Sequence, residues 1–251
     1  MLLEPEKVIA ETLGGLAALG FAAGACAFAA MWPGSQIFGR TLIAPARPRE
    51  IALTFDDGPN PAWTPRLLEL LAKHDIQATF FLLGKFASEA PVLVRTIANG
   101  GHAVGNHSWT HPNLARTSAA RVRDELTRTR DALEQIIGNR VTLFRPPFGA
   151  RRPYVLRTAR ELGMTPVMWN AMTNDWEERS AERIAEQLSR KVEAAGRRGR
   201  AANIVLHDGG HRMLGADRGP SIKAAEMLVE RLKATHRFVT VAEWLSEGAR
   251  G

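Results

Sequence analysis

From Glu50 onward the chain alternates short apolar runs with longer stretches of helical period. The runs near 50–55, 78–83, 102–106, 141–145, 165–169, 203–207 and 237–240 have the length and apolar density of buried strands. Between them, helical patterns occupy positions near 64–73, 89–99, 118–137, 152–162, 180–195 and 219–234. In the longest of these, Val122, Leu126, Leu133, Ile136 and Ile137 recur close to the helical period. Thr64-Pro65 reads as a helix start, an N-cap followed by proline at the first helical position. About seven strand–helix alternations predict an α/β domain whose parallel sheet closes as a barrel.

Ahead of this domain, residues 13–32 carry no charge. At about 1.5 Å rise per residue, such a run matches the hydrocarbon thickness of a bilayer, with Trp32 at an interface. We expect residues 1–32 to form an apolar membrane-anchor helix, 33–49 a linker marked by Pro33, Gly34, Pro45 and Pro48, and 50–251 the folded domain. A cleaved signal peptide is one rival reading, and Glu4 and Glu6 against the single Lys7 weaken it. A soluble Ala-rich helix packed on the domain is the other. Arg40, Arg47 and Arg49 follow the run, which by the positive-inside rule favours a cytoplasmic domain. Large translocated domains override that bias, and the expectation is a domain facing the cell envelope.

Composition narrows the field. A chain of 251 residues, 45% hydrophobic and 24% charged, suits one globular domain with a short appendage. The single cysteine, Cys26, excludes an intrachain disulfide framework and any cysteine-rich zinc site. The net charge of +7 comes mostly from scattered arginines, with 197–200 the densest run. That pattern suits attraction to an anionic envelope or membrane better than nucleic-acid binding.

Chemistry-bearing residues gather after the strands. Asp56 and Asp57 follow the first run, His107 and His111 the third, Arg145 ends the fourth, Asp175 comes six residues after the fifth, and His207 ends the sixth. In a β/α barrel those strand ends converge on one face, where active sites are built. Two histidines and one aspartate form a three-ligand set for a divalent metal with an open position. A second aspartate beside that set is free to act as a base, which points to hydrolysis. Each motif alone is weak: a lone HxxxH is usually structural, and Asp-Asp before Gly-Pro is usually a turn.

Taken in order, five segments resemble the polysaccharide deacetylase family, the NodB-homology domain of carbohydrate esterase family 4. They are Thr54-Phe-Asp-Asp-Gly-Pro59, His107-Ser-Trp-Thr-His111, Arg145-Pro-Pro-Phe-Gly149, Asp175-Trp176 and Leu206-His207-Asp208, within a resemblance spanning about residues 48–245. The resemblance implies a distorted (β/α)7 barrel that removes N-acetyl groups from N-acetylglucosamine polymers with a divalent metal, Zn2+ first, with Co2+, Mn2+ or Ni2+ as alternatives. It implies Asp57, His107 and His111 as metal ligands and Asp56 as the general base acting on the attacking water. It further implies an oxyanion contact at the Phe148 N–H and His207 as the acid for the leaving amine. Arg145 would hold Asp56, Asp175 would orient and charge His207, and Trp176 and Leu206 would receive the acetyl methyl. Phe148 stands where the family commonly has tyrosine, so a hydroxyl contact to substrate is lost there. Asn174 makes the loop around Asp175-Trp176 unusual.

Outside the motifs, His74, His102, His211 and His236 read as surface or satisfied residues. Trp63 and Trp109 could stack on sugar rings or pack in the core. The expected partners are an N-acetylated envelope glycan, peptidoglycan first and chitooligosaccharide second, and the membrane. No nucleic acid is expected, and the expected state is monomeric. O-acetyl ester cleavage and a lipid-linked sugar remain open. The competing classes are a non-catalytic glycan-binding barrel, which loss of a ligand, base or acid would signal, and a membrane scaffold without metal dependence.

Overall fold

Every strand pairing in the computed structural model, which describes residues 24–248, is parallel. The strands are β1 (Glu50–Gly58), β2 (Thr79–Leu82), β3 (Ala103–Asn106), β4 (Leu143–Phe144), β5 (Thr165–Pro166), β6 (Ala171–Met172), β7 (Ala202–His207) and β8 (Arg237–Val239). The sheet order is β5-β4-β3-β2-β1-β7-β6, and β8 joins the start of β1 at Glu50–Ala52. The helices Thr64–Lys73, Pro91–Asn99, Ala119–Ile137, Pro153–Glu161, Ala181–Arg197 and Gly219–Leu232 fall where the apolar period places them. β6, the short helix Gly84–Glu89 and the helix Val241–Gly248 were not anticipated.

The two-residue period of β1 and β7 explains how the site is aimed. Ile51, Leu53 and Phe55 of β1 and Ile204 and Leu206 of β7 belong to one large apolar cluster. Helix residues such as Leu67, Val122, Ile184 and Leu228 complete it. The alternate positions Thr54, Asp56, Asn203, Val205 and His207 therefore face the other way, into the concave side of the sheet. Phe81, Leu143, Val167, Val239 and Trp244 form a second apolar cluster, with Ala52 from β1.

Closure differs from the expectation of a strand-paired barrel. β5 and β6 are the ends of the hydrogen-bonded order and do not pair with each other. The gap is spanned by chain that precedes β1. Leu42 N donates to Pro166 O at 2.9 Å, and Met168 N donates to Leu42 O at 2.7 Å. Asn203 Nδ2 of β7 then reaches Ile43 O at 2.9 Å and Met168 O at 2.8 Å. Residues 41–44, inside the segment expected as a linker, thus lie along the β5 edge, with Ala44 buried.

The apolar run 13–32 falls partly outside the described residues; of its described part, 24–32, residues 24–31 are helical. Among the described residues no helix is long and apolar enough to cross a membrane. The chain leaving that helix is latched to the domain by Arg151, which is 1% exposed. The Arg151 guanidinium donates to Trp32 O at 2.6 Å, Ser35 O at 2.9 Å and Gly149 O at 2.9 Å, while its backbone N–H donates to Ala30 O at 3.0 Å. A guanidinium placed on carbonyls at a helix C-terminus answers both their unpaired lone pairs and the negative end of the dipole.

Thr64 is not the cap expected of it. Its hydroxyl accepts from Asn60 N at 2.8 Å and donates to the buried Asp208 carboxylate, so it ties the β1 turn to the β7 turn.

Arg151→Met should therefore loosen the pre-barrel segment and spare the sheet. We expect the amides of Trp32 and Ser35, which donate to Phe28 O and Trp32 O, to exchange at least about tenfold faster, since hydrogen bonds to a charged donor are worth about 1.5–3 kcal/mol each. Strand amides should keep their protection. Hydrogen exchange read residue by residue checks it, and unchanged rates at Trp32 and Ser35 would contradict it.

Candidate active site

β1 delivers two carboxylates in succession, and the backbone turns between them. Asp56 keeps the strand conformation and points with Thr54 into the concave side, while Asp57 takes a left-handed φ of 69°. Such a backbone conformation costs a non-glycine residue about 1–2 kcal/mol, so the surroundings must hold it. Two glycines do part of this. A Cβ on Gly209 would lie 2.1 Å from Asp57 O, and one on Gly58 would lie 2.6 Å from the Asp208 carboxylate. The β7 turn therefore lies flush against the β1 turn.

The second loop, after β3, also carries strained residues: Ser108 with φ 69° and His111 with φ 59°. Its support comes from Glu125, fully buried on the helix Ala119–Ile137. Glu125 Oε2 accepts from Trp109 N at 2.8 Å and Thr110 N at 2.7 Å, and Oε1 accepts from the Thr110 hydroxyl at 2.7 Å. Ser108 Oγ accepts from His111 N at 3.1 Å, and Asn106 Oδ1 accepts from Ser108 N at 2.9 Å.

Together the two loops bring Asp57, His107 and His111 into one buried group, their candidate ligand atoms all within 4.8 Å of one another. His111 Nε2 stands 3.2 Å and His107 Nε2 3.6 Å from Asp57 Oδ1. His107 Nδ1 lies 2.8 Å from Arg145 O. A carbonyl only accepts, so Nδ1 carries the proton and Nε2 presents a lone pair. Asp57 Oδ1 is buried with no hydrogen-bond partner among the described residues. A buried anionic oxygen without a donor, facing two imidazole nitrogens, fits a divalent cation.

Arg145 is the centre of the second half of the site. It is wholly buried, and its guanidinium carbon lies 4.1 Å over the Phe81 ring. Nη1 donates to Asp56 Oδ1 at 2.8 Å and Thr54 Oγ1 at 2.6 Å, and Nη2 donates to Asn203 Oδ1 at 3.2 Å. One oxygen of Asp56 is thereby held, and the other, Oδ2, stands 3.9 Å from His107 Nε2. On the β7 side, His207 Nδ1 donates to Asp175 Oδ1 at 2.8 Å. Asp175 Oδ2 accepts from His207 N at 2.8 Å and Ser221 Oγ at 2.7 Å, so the carboxylate grips both ring and backbone.

Charges shape the cavity. Burial is the largest influence on His207 and would lower it, but the Asp175 charge and hydrogen bond, with Asp57 and Asp56 behind them, raise it to about 9. Burial would push Asp57 up; the His211 contact and the charges of His111, His207 and His107 outweigh it and hold the carboxyl well below its usual range. Burial, ahead of every other cause, pushes His111 down to about 3 and Asp208 up to about 7. A cluster of displaced acid–base groups around one cleft is characteristic of a catalytic site.

The cleft encloses about 300 Å³ and is lined by Asp56, Asp57, His107, His111, His207 and His211 together with the apolar Phe148, Trp169, Met172, Trp176 and Val205. Phe148 is half exposed, has a left-handed φ of 58° and sets its ring edge-on to His111 at 4.5 Å. Trp176 stands edge-on to His207 at 5.1 Å. Leu206 is not part of the lining. It is fully buried on the helix side of β7, and Val205 takes the place proposed for it. Trp109 lies under the Arg128 guanidinium at 4.3 Å, Trp63 under that of Arg66 at 4.7 Å, and neither lines the cleft.

Several working residues escaped sequence reasoning. Glu125 left a trace, an acid on the buried stripe of its helix with Val122, Leu126, Thr129 and Leu133. Asn203 and Ser221 left none, since their partners are 58 and 46 residues away. His211, read as a surface or satisfied residue, stands in the site: its ring stacks on His111 at 4.4 Å with 17° between planes, and its Nδ1 is 3.5 Å from Asp57 Oδ2.

Comparison with known proteins agrees on one family. Residues 44–167 match the family model for polysaccharide deacetylases. The chain is similar to a peptidoglycan-N-acetylglucosamine deacetylase of Bacillus cereus, 36% identical over 200 residues covering 78% of this chain and 68% of that protein. It is 37% identical to a chitooligosaccharide deacetylase of Azorhizobium caulinodans over 175 residues, 69% of this chain and 80% of the relative. Among solved structures, the Bc1960 peptidoglycan N-acetylglucosamine deacetylase bound to an N-hydroxybenzamide superposes with a TM-score of 0.72 at 33% identity, over 81% of this chain and 91% of the other.

The His207–Asp175 pair makes a titration prediction for the metal-free protein. A raised histidine pKa stabilises the fold fully below the unfolded value of about 6.5, and that contribution disappears as pH rises through about 9. Asp175→Asn removes the main raising influence and leaves burial opposed only by the charges of Asp57 and Asp56, so the His207 pKa should fall well below the wild type's. NMR titration of the His207 ring reads this directly. A value still near the wild type's would show that Asp175 does not charge His207.

Proposed function

Because this chain belongs to the polysaccharide deacetylase family, carbohydrate esterases that act on N-acetyl groups, we propose that it hydrolyses the N-acetyl groups of N-acetylglucosamine residues in an envelope glycan, with peptidoglycan as the leading substrate. The observation that carries this reading is the pairing, in one cleft, of the Asp57–His107–His111 group with a second carboxylate clamped by Arg145 and a histidine charged by Asp175. No ligand, base or acid of the motif set is missing, which argues against a non-catalytic barrel. The likeness to the Bacillus cereus enzyme supports peptidoglycan, and that to the Azorhizobium enzyme keeps chitooligosaccharides as the alternative. We further propose that the uncharged run 13–32 attaches the domain to the membrane, on the envelope side.

The residues divide the work of amide hydrolysis. Asp57, His107 and His111 would hold a divalent cation, Zn2+ first, whose Lewis acidity when bound lowers the pKa of water and polarises an acyl oxygen. Asp56 accepts the proton of the attacking water through Oδ2, since Oδ1 is occupied by Arg145. The Phe148 amide is the donor assigned to the developing oxyanion. His207, held as imidazolium by Asp175, gives its proton to the departing sugar amine. Trp176, Met172 and Val205 supply an apolar wall for the acetyl methyl, which has no hydrogen bond to lose there.

The test is acetate release by the full chain from peptidoglycan and from N-acetylglucosamine oligomers, after chelation and again after zinc is restored. Zinc-dependent release supports the reading, and the faster polymer identifies the substrate. A zinc-loaded protein that releases acetate from neither would overturn it. Asp56→Asn should keep its zinc and lose at least about 100-fold in turnover, the usual scale of general-base catalysis. A variant retaining more than about a tenth of wild-type rate would remove Asp56 from the role of base. His111→Ala should lose metal and activity together, and normal metal content in it would refute the ligand assignment.

A further inference from the structure

His211 lies outside the five motifs yet is carried to the metal group by a rigid device. Gly209 lies flat on the Asp57 backbone, where a Cβ would be 2.1 Å from the carbonyl oxygen. Arg218 Nε donates to Gly209 O at 2.6 Å. Gly210 packs against Ala216, where an added Cβ would approach to 2.7 Å. The loop therefore has little freedom, and it sets the His211 ring parallel to His111 at 4.4 Å. His211 Nδ1 then stands 3.5 Å from Asp57 Oδ2, within ion-pair reach and just beyond the usual length of about 2.7–3.2 Å for an N–H···O hydrogen bond.

The two oxygens of Asp57 are thus divided. Oδ1 faces the Nε2 atoms of His107 and His111 and has no hydrogen-bond partner, whereas Oδ2 is approached by His211. We infer that His211 is a positioning residue: its Nδ1–H holds Asp57 Oδ2, which turns Oδ1 towards the cation and keeps the carboxylate a single-oxygen ligand. Groups that orient a ligand through its far atom typically govern 10–100-fold in metal affinity. This inference rests on the reading of Asp57, His107 and His111 as cation ligands, and it concerns the protein's affinity for metal rather than its turnover.

Two substitutions separate the hydrogen bond from the stacked ring. His211→Phe keeps a ring to lie on His111 and removes the donor. His211→Asn keeps a donor close to the Nδ1 position and removes the ring. The side chain is 34% exposed, so neither change opens a core cavity. The measurement is the zinc dissociation constant of the metal-free full chain, obtained by competition with a chromophoric chelator. We expect His211→Phe to bind zinc about 10–100-fold more weakly than wild type, and His211→Asn to stay within about threefold of it. His211→Phe binding as tightly as wild type, or His211→Asn binding no better than His211→Phe, would overturn the inference. Failure of the wild-type chain to bind zinc would instead refute the ligand set itself.

Discussion

The ion pair between Arg145 and Asp56 holds the site together from inside the sheet. A guanidinium with no solvent exposure is costly to bury, and a carboxylate, a hydroxyl and an amide that converge on its two terminal nitrogens offset much of that cost, while Nε has no partner among the described residues. Those partners sit on β1 and β7, so the charge also joins the strands that carry the two halves of the chemistry. The same residue works through its backbone, since its carbonyl fixes the His107 tautomer. Removing one partner of such a pair typically costs about 3–5 kcal/mol, because the other is left charged and buried. The orientations of the Asp56 carboxylate and the His107 ring thus depend on one side chain and its own peptide group.

Around that centre, backbone strain is concentrated where the chemistry is. Asp57, Ser108, His111 and Phe148 all have left-handed φ values, and all lie in the loops that form the cleft. Each of the first three is held from outside: Asp57 by the flush packing of Gly209, His111 by the Ser108 hydroxyl, and the 108–111 loop by the buried Glu125. The sheet supplies rigid strand ends, and buried polar residues aim the loops that leave them. The pre-barrel segment belongs to this scaffold too, because Arg151 ties Trp32 and Ser35 to Gly149, the neighbour of Phe148.

How much of this was legible depends on the range of each interaction. The strand and helix alternation is local and was readable, as was the gathering of Asp56, Asp57, His107, His111, Arg145 and His207 at strand ends, whereas Asp175 follows the unanticipated β6 rather than β5. Leu206 shows a limit that simple geometry could have removed. Side chains alternate along a strand, so with His207 turned to the cleft, Leu206 must face the helices and Val205 the cleft. β6 spans only Ala171–Met172, too short to show any period. The barrel closure by residues 41–44 rests on backbone hydrogen bonds and on the distant Asn203 amide, neither of which marks the segment itself. Asn203, Ser221 and His211 act on partners far away in sequence, and no local pattern marks them.

We propose that Asp57, His107 and His111 hold a catalytic divalent cation. Zinc K-edge X-ray absorption on the full chain, loaded with one equivalent of zinc, tests it most directly. We expect a nitrogen and oxygen coordination sphere at about 2.0–2.2 Å with multiple scattering from two imidazoles in the wild-type chain, and loss of that site in His111→Ala. Zinc bound without imidazole scattering, or His111→Ala taking up zinc with the wild-type spectrum, would contradict it.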